Sequence, residues 1–193
     1  MKKIHYILLI AIAFLVSNCD TNDDGFYNNV FIDVPNLVSI ESPTTTYTVG
    51  QKLYVTTSQF RRILDDGALI DIFQTTGANE FVFSYVIEKQ INATDWEVVT
   101  VNDSQLDIDK GDARNGSFVY AICQYNAVSG LYEYRVGFPL LSTGTYRMSF
   151  GYNSDSKDTV ELRSLSPATR LILNINSLIT GLDANGFYNF TVN

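Results

Sequence analysis

EFVFSYVIE, residues 80 to 88, sets aromatic and β-branched side chains at alternate positions, and its reading decides the fold. In an extended strand successive side chains point to opposite faces. Phe81, Phe83, Tyr85 and Ile87 therefore share one face, while Val82, Ser84 and Val86 share the other. Asn92-Ala93-Thr94-Asp95 reads as a turn into Trp96 to Val101 (WEVVTV), which completes a hairpin.

The same alternation recurs outward in both directions. Ser117 to Tyr125, a turn over Asn126 to Gly130, and Leu131 to Phe138 form a second pair, with Tyr132, Tyr134, Val136 and Phe138 on one side. Thr145 to Tyr152 groups Tyr146, Met148, Phe150 and Tyr152, and Gly186 to Val192 groups Tyr188, Phe190 and Val192. Val30 to Ile40, Gln51 to Ser58 and Ala68 to Phe73 bring the expectation to eight or nine strands. Short strands at this spacing, without long helices between them, predict an all-β antiparallel sandwich. Ser166 to Gly181 (SPATRLILNINSLITG) reads two ways. Its serine, proline and terminal glycine sit where helix caps belong, but Leu171, Leu173 and Ile175 also alternate. A short helix near 167–180 and a further strand both stay open.

LSTGTY, Leu141 to Tyr146, resembles the L-x-x-G-x-Y corner of immunoglobulin-like and fibronectin-like domains. The resemblance implies a tyrosine that opens the second-to-last strand and whose hydroxyl bonds back to the backbone upstream. Tyr146 would be that residue, its partner lying between Leu141 and Gly144.

The beginning of the chain has the layout of a secretory signal. Lys2 and Lys3 precede an apolar run from Tyr6 to Val16, which suits a signal core and is too short for a membrane span of about 20 residues. Val16-Ser17-Asn18-Cys19 resembles a bacterial lipobox, and Asp20, Asp23 and Asp24 behind it resemble the acidic export tract of surface lipoproteins of Bacteroidota. The resemblance implies a signal peptide over 1–18, lipidation of Cys19, an acidic linker over 19–29, and attachment to the outer membrane with exposure at the cell surface. A single sandwich domain would fill 30–193.

Cleavage before Cys19 would remove Lys2, Lys3 and His5, the one histidine of the sequence. The 13 basic side chains fall to 11 against 21 acidic ones, a formal charge of −10. Such a chain is repelled by phosphate backbones, so no nucleic-acid partner is expected, and a membrane would hold it through the lipid. Without histidine, Ser-His-Asp and Cys-His catalysis and His-ligated zinc are excluded. Cys123, in the apolar stretch SFVYAICQY, reads as a buried small hydrophobe.

Other candidates for chemistry are few. Asp65-Asp66-Gly67 reads as a tight turn. Asp107, Asp109 and Asp112 in LDIDKGD place oxygen donors at positions that suit calcium. Against calcium, the glycine comes one residue early for an EF-hand, a lysine interrupts the loop, and no glutamate closes it. A solvated acidic loop is the competing reading. Among 12 tyrosines, 12 phenylalanines and one tryptophan, Trp96, Tyr125, Tyr132 and Tyr134 lie on or beside hairpins, where rings can stack on sugars or anchor a protein. The leading expectation is a non-enzymatic binding or structural lipoprotein, such as an accessory to glycan capture, an adhesin or a component of a surface assembly. The alternative is a small hydrolase of polysaccharide or peptidoglycan working through paired carboxylates.

Overall fold

The computed structural model describes residues 27–58, 60–65, 68–150 and 157–193. The signal, Cys19 and the acidic tract lie outside the described residues, as do Asp66, Gly67 and Tyr152. The architecture is all-β and sandwich-like, as the alternation predicts.

Strand β1 (Asn28–Pro35) begins two residues before the expected start of the domain at 30. It is followed by β2 (Val38–Ile40), β3 (Thr46–Tyr47), β4 (Lys52–Thr57), and the paired β5 (Arg62–Asp65) and β6 (Ala68–Asp71). A five-residue helix α1 (Ile72–Thr76) leads to β7 (Glu80–Gln90) and β8 (Trp96–Val98). Then come β9 (Asp107–Lys110), β10 (Asp112–Asn115), β11 (Val119–Asn126), β12 (Leu131–Glu133), β13 (Arg135–Pro139), β14 (Gly144–Ser149), β15 (Thr159–Leu165), β16 (Leu171–Leu178) and β17 (Tyr188–Val192).

The larger sheet runs β1-β16-β15-β7-β14-β17-β3, with β8, β10, β11 and β12 joined through the other side of β7. The smaller runs β2-β4-β13-β9. Two pairs are parallel, β1 with β16 and β17 with β3, and the rest are antiparallel. The core lies between the sheets. Phe81, Phe83, Tyr85 and Ile87 from β7 are buried with Leu53, Val55, Val136 and Phe138 from the smaller sheet. Among the described residues no helix is long and apolar enough to cross a membrane.

Three expected elements are corrected. Ser166 to Gly181 holds no helix. Ser166 and Arg170 take positive φ values of 48° and 57°, which break a helical start, and residues 171 to 178 extend as β16 between β1 and β15. Asparagine and isoleucine favour helices weakly, and the buried Leu173, Ile175 and Ser177 face the core at strand spacing. The short helix is instead α1, where the Asp71 side chain accepts from the Gln74 N–H and left-handed Gly77 closes the end. Val30 to Ile40 divides at Asn36, whose φ is 56°, so that β1 and β2 enter different sheets. Leu131 to Phe138 also changes sheets, between β12 and β13, while keeping all four of its alternate residues in the core.

Tyr146 is 2% exposed and its hydroxyl donates to the Ser142 carbonyl at 2.7 Å, inside the expected window. Three strands follow β14, rather than the single one implied by the corner resemblance.

Candidate functional site

A groove of about 460 Å³ opens on the outer face of the smaller sheet. Alternation places it there. Leu53, Val55, Val136 and Phe138 turn inward, so Lys52, Tyr54, Arg135 and Gly137 turn outward from β4 and β13. Gly137 pairs with Tyr54, and a Cβ at Gly137 would stand 2.7 Å from the Tyr54 ring, so the missing side chain is what lets the ring lie down on the sheet. The Arg135 guanidinium carbon lies 4.2 Å from the centre of the same ring.

Charges alternate around this ring. Arg135 donates to both carboxylate oxygens of Glu41, at 2.7 and 3.1 Å, and to Asp109 at 3.4 Å. Asp107 accepts from the Lys52 ammonium at 2.6 Å and from the Tyr54 hydroxyl at 2.5 Å. These hydrogen bonds, that of Lys52 foremost, hold the Asp107 carboxyl below its ordinary pKa and raise the pKa values of Lys52 and Tyr54. Glu41 chiefly raises that of Arg135. The opposite wall is the segment before β4, where Ser42, Thr44, Thr46 and Gln51 line the groove. Its shape is fixed from below: the Tyr188 hydroxyl accepts from the Thr44 N–H at 2.7 Å and donates to the Thr44 carbonyl at 2.5 Å, with Tyr47 3.2 Å away.

The three calcium candidates are separated by this geometry. Asp107 and Asp109 lie on β9 of the smaller sheet, whereas Asp112 lies on β10 of the larger. Gly111, at φ 74°, turns the chain between them. Asp107 and Asp109 are engaged by Lys52 and Arg135, and Asp112 accepts from the Ala113 N–H at 2.8 Å. Among the described residues no group of three acidic, cysteine or histidine side chains is arranged to hold a metal ion.

The aromatic candidates also disperse. Tyr132 and Tyr134 are each 1% exposed and belong to the core, with hydroxyls bonded to the Ala78 carbonyl at 2.6 Å and to the Tyr85 hydroxyl at 3.1 Å. Tyr125 is half-buried and stacks on Phe73 at 4.0 Å. Trp96 covers the Arg147 guanidinium, which lies 4.3 Å from its ring and 4.2 Å from that of Phe187, and which also pairs with Glu88 at 2.7 Å. Cys123 is buried as expected, and burial pushes its thiol up. The residues that do converge, Tyr54, Arg135, Glu41 and Lys52, carry no motif. Only the outward phase of β4 and the glycine at 137 mark them in the sequence.

No protein family and no curated protein matches this chain. Among solved structures, the human F-spondin reeler domain aligns with 91% of this chain and 100% of its own, at 7% identity and a TM-score of 0.38.

Proposed function

We propose that the protein is a non-catalytic binding module of the cell surface, anchored in the outer membrane by a lipid on Cys19, and that the groove over Tyr54 takes a neutral glycan. The observation that carries this reading is the pairing of charge around the ring: the carboxylates of Glu41, Asp107 and Asp109 are all held by Arg135 and Lys52. With both cations already paired and one carboxylate in excess, such a groove does not attract anions, yet it presents hydroxyls, carboxylates and cationic donors beside an aromatic ring. That mixture suits a polyhydroxylated ligand. The lowered pKa of Asp107 unsuits it for the general-acid role that the hydrolase reading requires of one carboxyl group.

The test is a glycan array with the full chain, followed by calorimetry on any glycan bound. Tyr54→Ala weakens binding about tenfold, the scale of a hot-spot aromatic residue, and Tyr125→Ala leaves it unchanged. Equal binding by wild type and Tyr54→Ala places the ligand elsewhere.

A further inference from the structure

Strand β1 is the longest strand among the described residues with one hydrogen-bonded neighbour. Its parallel ladder with β16 uses alternate residues, bounded by Asn28 and Asn36, whose N–H groups donate to Arg170 and Leu178 at 3.1 and 2.9 Å. Asn29, Phe31 and Asp33 therefore direct their N–H and C=O groups away from the sheet. β5 approaches β1 without forming a ladder with it. Natural edges are blunted by lysine, bulges or brevity, and β1, NNVFIDVP, has none of these before Pro35. Its outward side chains are exposed, Phe31 at 63%.

We infer that β1 pairs antiparallel with β1 of a second copy of this chain, about a two-fold axis at Phe31. The register follows from the side chains. The outward backbone groups can meet only if residues 29, 31 and 33 face one another. Centring on Asp33 sets two carboxylates opposite each other, and a shift toward the carboxyl end sets Asn29 against Pro35, which has no N–H. Centring on Phe31 sets Phe31 against Phe31 and Asn29 against Asp33 twice, with an amide donating to a carboxylate each time. Asp33 accepts from the Asn176 amide at 3.0 Å through one oxygen, leaving the other for this contact. The strand is complementary to itself in this register, the requirement of a closed two-fold interface.

The experiment uses the full chain in detergent, with light scattering for mass and copper-phenanthroline oxidation for proximity. Facing residues of a hydrogen-bonded pair lie about 5.5 Å apart at Cα, within disulfide reach. Phe31→Cys gives a covalent dimer above the wild-type background, and Val128→Cys, at a site 98% exposed, does not. Asn29→Asp faces Asp33 of the other copy and weakens the dimer about tenfold, and Asn29→Asp with Asp33→Asn restores it to within about twofold. Phe31→Pro removes the central outward N–H but no bond to β16, and gives a monomer that melts no lower than wild type diluted to its own monomer. A monomer at every concentration, equal cross-linking of Phe31→Cys and Val128→Cys, or a dimer indifferent to the Asn29 and Asp33 exchange overturns the inference.

Discussion

The Tyr146 hydroxyl reaches back four residues to donate to the Ser142 carbonyl at 2.7 Å, while its ring stacks on Phe190 with centroids 5.4 Å apart. The two contacts separate cleanly by mutation. Tyr146→Phe deletes the hydroxyl's contacts with the Ser142 carbonyl and hydroxyl and keeps the ring. Ser142 is exposed, so water satisfies the freed carbonyl and the cost stays at about 0.5 to 1.5 kcal/mol. Tyr146→Ala also opens a cavity and costs about 3 to 5 kcal/mol. Tyr125→Phe is the control. Denaturant midpoints at constant slope measure all three, and two mild Tyr146 variants would remove the corner as a source of stability.

Asp107 links stability to acid. Its folded-state pKa lies below the ordinary 3.8, so its bonds to Lys52 and Tyr54 stabilise the fold above that value and are lost as the pH falls through the lowered one. Asp107→Asn has no such proton to gain. Its denaturant midpoint therefore falls less between neutral pH and pH about 3 than that of the wild type. Parallel losses in both proteins would show that the Asp107 pair adds nothing.

Lipidation of Cys19 makes two measurements agree. Radiolabelled palmitate enters the wild type and not Cys19→Ala. The native chain then shows no thiol toward a soluble reagent until denaturant exposes Cys123, whose burial holds the thiol protonated. A reactive thiol in the native wild type would contradict the lipobox reading.

The acidic tract is separable from the anchor. With Asp20, Asp23 and Asp24 all replaced by alanine, palmitate labelling persists, and protease added to whole cells no longer degrades the protein. Unchanged degradation would assign the acids to spacing alone.

The strands were legible because burial on one face leaves a period of two, and β7 carries it in the aromatic residues Phe81, Phe83 and Tyr85, although Ser84 and Val86 on its other face are buried too. What the period does not encode is which sheet a strand joins. Tyr132 and Val136 alternate without a break, yet β12 and β13 lie in different sheets. The cap residues of Ser166 to Gly181 misled for a related reason. Local capping contributes about 1 kcal/mol, whereas a strand between two neighbours buries a whole face and completes two ladders. The groove was harder still. Tyr54 and Arg135 are 81 residues apart in the chain and meet only through the pairing of β4 with β13. Sequence spacing singled out Asp107, but as a metal ligand, because Lys52 enters its surroundings from another strand. Tyr132 and Tyr134 lie beside a hairpin, but the period that identifies their strand already places both inward.

Both flanks of the larger sheet join early residues to late ones, Asn28 beside Leu171 and Tyr47 beside Val192. The order of synthesis therefore sets the order of assembly. A chain emerging from its amino end has β1 and β3 in hand long before either has a partner. Loop-closure entropy over such separations must be met before the flanking ladders form. A chain leaving the ribosome is thus unable to close either flank of the larger sheet until nearly all of it has been made.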